Sequence, residues 1–222
     1  MWRDAALVAG RDLRVELHSR VTTNQVAPFS VLVLILFAFA LDPDRQLLER
    51  LASGLYWTAV LFAALLAISR SAAIDETDGV RDALRLSGID PAGVFVGKAA
   101  AVAIILLGLE VLLGVGVVVL YGVDLAGAAL VVVAALAATV AVAATGTLYG
   151  ALVSGLRVRE TLLPLLLLPV LAPVLIGATR AFEAALAGVP ADGWPWCGLL
   201  AGLALLYAVA GALAYGTLLE GS

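Results

Sequence analysis

The 222-residue chain is 63% hydrophobic and only 14% charged, and its mean hydropathy of +1.09 means far more apolar surface than a water-soluble fold of this size could bury. One Cys and one His exclude an internal disulfide and any Cys/His cluster for zinc or an iron–sulfur centre. The formal net charge of -4 decides little, because in an integral membrane protein the placement of charges matters more than their sum.

Residues 1–20 come first. At about 100° per residue, Trp2, Ala6, Ala9, Leu13 and Leu17 share one arc while Arg3, Asp4, Arg11, Arg14 and His18 face away, which predicts an interfacial helix on one leaflet. The Arg-bearing start, the apolar run 28–40 and "AFA" at 38–40 superficially suggest a cleaved secretory signal, but the leading region is too long and too amphipathic for one. "TTNQVAP" turns the chain into its first apolar run, with Pro28 tolerated in an opening helical turn. A spanning helix needs roughly 20 mostly apolar residues, and six are predicted, at about 26–41, 54–70, 94–121, 127–154, 160–178 and 196–219. The fold class is therefore all-α and polytopic, a single transmembrane domain over 1–222. An even number of spans puts both termini on one side with Arg3, Arg11, Arg14, Arg20, Arg70, Arg81, Arg85, Lys98, Arg157 and Arg159, against Arg45, Arg50 and Arg180 on the other. This asymmetry predicts cytoplasmic N- and C-termini.

Between spans two and three, "DETDGVRDALRLSGIDP" holds a short two-faced helix over 78–88. Val80, Ala83, Leu84 and Ser87 share one face; Asp78, Arg81, Asp82 and Arg85 share the other. Asp78 is a reasonable N-cap, Gly88 a left-handed stop, and Asp90-Pro91 forbids continuation. Either this helix rests on lipid headgroups, or its faces meet the membrane bundle and a cytoplasmic partner. "GVFVGKAA", ending at Lys98 and two alanines, is one residue short of a phosphate-binding loop and has Ala99 where the metal-binding hydroxyl belongs, so ATP is not bound by that device.

Glu110 is the ionisable residue well inside a predicted span, which makes it a candidate for a polar pathway or a cross-helix contact. Span four, with Gly146/Gly150, and the pairs Gly93/Gly97 and Gly198/Gly202 carry small-residue spacings that permit close helix approach, weak signals in so Gly-rich a chain. Span five holds Pro164, Pro169 and Pro173, each lacking an N–H, and is predicted to be kinked or locally open, a candidate lining or gating element. Segment 180–195 is too short and too charged to span; its first part, 180–187, is predicted to make two helical turns that dip into the outer leaflet before Gly188 and Pro190 break them. "GWPWC" supplies Trp194 and Trp196 as interfacial anchors or an outer-face apolar contact. His18 and Cys197 suggest no ligand role, no paired catalytic carboxylates or Ser–His–acid set can be assembled, and no internal repeat supports a secondary transporter.

The layout of interfacial helix, six spans, charged helix between spans two and three, and outer re-entrant segment resembles the membrane subunit of an ABC-2 type exporter. Within that class, 46–99, "LLLLPVLAPVLIGAT" (165–179) and "AGVPADGW" (187–194) resemble the CcmB family, haem exporter permeases of bacterial cytochrome c maturation. The resemblance implies a multi-pass protein of the bacterial inner membrane, two copies per complex with a CcmA-like ABC ATPase, and association with CcmC-like and CcmD-like membrane proteins and a CcmE-like haem chaperone. It implies no enzyme activity in this chain and no bound cofactor: ATP belongs to the partner and haem is cargo. Nothing points to a nucleic-acid partner. In such exporters the loop corresponding to 78–88 docks on the ATPase, so the resemblance makes Asp78, Val80, Arg81, Asp82, Ala83, Leu84 and Arg85 the coupling residues. Two alternatives stay open: a permease for another amphipathic cargo, and a scaffold with no translocation path.

Overall fold

The computed structural model describes residues 1–20, 22–41, 45–76, 90–123, 127–153 and 158–220. The expected coupling helix, with Asp78 through Arg85, lies outside the described residues, as does Arg157. Among the described residues seven α-helices follow in chain order: α1 (Trp2–Ser19), α2 (Ala27–Leu41), α3 (Arg45–Glu76), α4 (Pro91–Tyr121), α5 (Ala128–Val153), α6 (Arg159–Leu186) and α7 (Trp194–Glu220). Among the described residues six helices are long and apolar enough to cross a membrane, and no strand is present. The polytopic all-α class expected from composition is the class observed.

Helix α5 is the axis of the bundle and packs on α3, α4, α6 and α7. Its small side chains allow this: Ala134, Ala138 and Ala141 are fully buried, and a Cβ added at Gly146 would overlap Ile68 of α3. Helix α2 lies outermost, against α3 and α4. Phe95 near the start of α4 meets Tyr215 near the end of α7, with ring centroids 5.6 Å apart, and Val8 of α1 joins their cluster. The start of α1 and the end of α7 therefore lie at one end of the bundle, the α1 end. The end of α4 and the turn 187–193 lie at the far end.

Helix boundaries depart from the hydropathy reading in two places. Span two was expected over 54–70, but α3 already begins at Arg45, because Leu48 and Ala52 continue its buried face while Glu49 and Arg50 point elsewhere. Hydropathy drops at charged residues; a helix backbone does not. In α6, residues 180–186 are helical, as expected, and continue span five as the end of one 28-residue helix. Ala178, Ala181 and Ala185 keep its packed face unbroken, Arg180 pairs with Glu183 at 2.9 Å, and the chain leaves the helix at Gly188 with φ +73. A 3-10 turn, Pro190–Gly193, then leads into α7. The helix also remains continuous through Pro164, Pro169 and Pro173. Near the last of these, the Tyr207 hydroxyl of α7 donates to the Val170 carbonyl at 3.1 Å, meeting one acceptor in the disturbed turn.

Candidate functional site

Glu110 sits on α4, about 16 Å along the helix from its far end at 1.5 Å per residue, and is only 4% exposed. Three helices build its surroundings. From α5, the Thr139 hydroxyl lies 2.5 Å from Glu110 Oε1 and 2.8 Å from the Ala135 carbonyl; with one proton, it donates to one of these at a time. From α3, the Tyr56 hydroxyl donates to the Glu110 backbone carbonyl at 3.2 Å, a second acceptor bond in that turn. From α6, Phe182 stacks on Tyr56 with centroids 5.0 Å apart, and Trp57 sits edge-on to both. Glu110 Oε2 and Ser53 Oγ are buried without a hydrogen-bond partner among the described residues.

These groups border a cavity of about 660 Å³ between α3, α4, α5 and α6. Its wall is almost wholly apolar, with Val111, Val115, Val118 and Val131 beside Tyr56 and Phe182; Glu110 and Ser53 are the ionisable and hydroxylic exceptions on the α4 and α3 sides. Toward the far end a second, polar space of about 440 Å³ shares Ser53, Val123 and Leu186 with it and adds Glu49, Arg50 and Glu183. Together they form an apolar chamber with one deep carboxyl beneath a charged mouth. Such an arrangement suits an amphipathic molecule better than a free ion, whose desolvation the valine wall would not offset.

The α1 end carries a different construction. Helix α1 lies on α4 with Met1 and Asp4 against Gly93 and the buried Ala5 and Val8 against Gly97. A Cβ on Gly97 would stand 2.6 Å from the Ala5 carbonyl oxygen, so only glycine admits α1 this closely. One turn on, Lys98 Nζ, 3% exposed, pairs with Asp12 Oδ2 at 3.3 Å. Glu16 accepts the Thr22 N–H at 2.7 Å and fixes the turn out of α1, where Arg20 is left-handed at φ 52. The seated stripe is thus Ala5, Val8, Asp12 and Glu16, while Trp2, Ala6 and Leu17 of the predicted lipid-facing arc remain exposed. Asp90, which follows the undescribed segment directly, caps α4 through the Ala92 N–H and lies 3.9 Å from the Met1 amino group.

Of the residues singled out in the sequence, Glu110 is in the chamber. Pro164 is half-buried, Pro169 and Pro173 are exposed on α6, and none of the three lines the cavities described. Trp194 is 48% exposed and Trp196 packs on the core; neither borders the chamber. The sequence reading missed Tyr56, Thr139 and Phe182 around the carboxyl and the Asp12–Lys98 pair. Only Lys98 gave a signal, as a cation at the edge of an apolar run.

A family model described as "CcmB protein" matches residues 4–222. The chain is 40% identical over 208 residues to "Heme exporter protein B" of Escherichia coli K12, covering 91% of this chain and 94% of that protein. Similarity extends to the proteins of the same name from Rhodobacter capsulatus, at 34% identity over 75% of this chain and 76% of the relative, and from Pseudomonas aeruginosa, at 30% over 90% of each.

Proposed function

The chain belongs to the CcmB family, and from that premise we propose that it is the permease subunit of an ABC-type haem exporter acting in cytochrome c maturation. The observation that carries this is end-to-end similarity to proteins named for haem export, with no large segment of either chain left over. Six spans and an amphipathic chamber accord with a membrane subunit handling an apolar, acid-bearing cargo such as haem. ATP is hydrolysed by a separate CcmA-like subunit; this chain supplies no catalytic group. Two copies assemble with two ATPases, alongside CcmC-like, CcmD-like and CcmE-like proteins, in the bacterial inner membrane with both termini in the cytoplasm.

In this reading residues 78–88 are the coupling element, with Val80, Ala83 and Leu84 on one side and Arg81, Asp82 and Arg85 making charge-assisted contacts on the other. Force arriving there enters α4 at Asp90, beside the seated α1. The prolines of α6 give that helix the freedom to bend as α3 and α4 move, Trp194 and Trp196 anchor the segment 180–195 at the outer surface, and Arg50 at the charged mouth attracts anionic groups.

One observation favours a second reading, a scaffold whose ATPase acts on a neighbouring subunit: the chamber and the small cleft of about 20 Å³ at the α1 end have no lining residue in common. Deleting the gene in its native host tests the function. The expected result is loss of covalently haem-bearing c-type cytochromes on haem-stained gels with b-type cytochromes retained; undiminished c-type staining would refute it.

A further inference from the structure

The chamber beside Glu110 poses a problem that transport alone does not resolve. Glu110 is 4% and Ser53 2% exposed, both line the cavity, and each keeps an oxygen without a partner among the described residues. A buried carboxyl oxygen left unmet is expensive, and more so in lipid, where no solvent stands by. Water could meet these atoms, but a water occupies about 30 Å³ of liquid volume, and the cavity is about 660 Å³ with valine walls. Water filling the rest would wet those walls; emptiness would forfeit their dispersion contacts.

The cavity opens sideways. Val111, Val115, Val119 and Val132 line it and are each more than half exposed, so its rim faces whatever surrounds the bundle. An ordinary acyl chain entering there would fill the volume but set methylene groups against Glu110 Oε2 and Ser53 Oγ. A chain with a hydrogen-bonding end group would fill the volume and meet both atoms. The polar groups are also held ready: Thr139 contacts Oε1, Tyr56 anchors the Glu110 carbonyl, and the Tyr56–Phe182 stack forms a rigid wall. A volume of this size is ordinary for a small-molecule site.

We propose that this chamber is a binding site for a long-chain amphiphile whose donor end group meets Glu110 and Ser53 while its apolar body lies among the valines of α4 and α5. The site exists whether or not haem crosses this chain. Its occupant comes from the bilayer, which the exposed valine rim faces.

Gly114 gives the experiment its handle. It lines the cavity, and a Cβ there meets nothing within 4 Å, so Gly114→Leu projects its side chain into the chamber and obstructs it. Gly108 on the same helix is equally open but lines none of the cavities described, so Gly108→Leu is the matched control. The full chain, in its assembled membranes, is photolabelled with a diazirine-bearing long-chain alcohol and with the same diazirine as a plain alkane, and labelled peptides are mapped by mass spectrometry.

The alcohol is expected to label 111–119 and 131–136 saturably, with roughly tenfold preference over the alkane for one gained hydrogen bond. Gly114→Leu removes this labelling and Gly108→Leu does not. Competition with oleyl alcohol, normalised to labelling on the outer face of α7, is expected to displace the probe, whereas displacement by haemin and not by oleyl alcohol would overturn the long-chain occupant. Unsaturable labelling spread over all lipid faces, equal labelling by the alkane, or indifference to Gly114→Leu would overturn the proposal. So would crosslinking of these valines to a helix of another subunit in place of the alcohol. A failed site leaves the c-type cytochrome phenotype untouched, so the two claims fail separately.

Discussion

A buried lysine and a part-buried aspartate set the energetics at the scale of single residues. Lys98 and Asp12 come from helices at opposite ends of a long stretch of chain, and their pairing was not legible in the sequence because it depends on how α1 lies on α4. Removing one member of a buried ion pair leaves an uncompensated charge and costs about 3–5 kcal/mol, whereas replacing both by apolar residues is often neutral. Lys98→Met should therefore destabilise the protein in equilibrium unfolding followed by tryptophan fluorescence, and adding Asp12→Leu should recover most of the loss. A double variant no more stable than Lys98→Met would contradict the pairing. Glu110 was legible as an isolated acid in an apolar run. Its neighbours Tyr56 and Thr139 lie 54 and 29 residues away in sequence, and no local pattern marks an aromatic or a threonine as facing a carboxyl on another helix.

Among the elements, the three Gly pairs look alike in the sequence and differ in the structure. Gly93/Gly97 seats α1, Gly146 admits α3, and Gly198/Gly202 meets nothing within 4 Å. Spacing alone cannot separate them, since close approach is a property of two helices and a motif belongs to one. Gly97→Leu should unseat α1 and accelerate backbone hydrogen exchange over Trp2–Ser19 at least about tenfold, a loss of roughly 1.4 kcal/mol of docking. Gly202→Leu should leave that exchange as it is. The six spans themselves were read correctly from hydropathy, while the extents of α3 and α6 were not, because charged residues on one face of a helix lower the average without ending the helix. The proposed coupling element makes its own demand: Arg81→Glu with Arg85→Glu should leave the chain inserted in the membrane and abolish retention of the ATPase, measured as ATPase per permease after affinity purification. Full retention by this variant would remove 78–88 from that role.

For the whole molecule, the layout separates two tasks by depth. One end bears the seated α1, Asp90 and the start of α4, which suits it to receive force from a cytoplasmic partner. The other end holds the charged mouth and the apolar chamber with Glu110, which suits it to handle an amphipathic molecule. Composition and charge placement were enough for the class of protein and its expected orientation; assembly with other subunits was legible only through resemblance, because a surface apolar enough for lipid is also apolar enough for a partner helix. The central claim, a permease subunit working within a cytochrome c maturation complex, is tested most directly by purifying the tagged chain from its native membranes in mild detergent and identifying by mass spectrometry what accompanies it. The account expects an ABC ATPase in equal amount together with CcmC-like and CcmE-like proteins; recovery of the chain with no ATPase would contradict it.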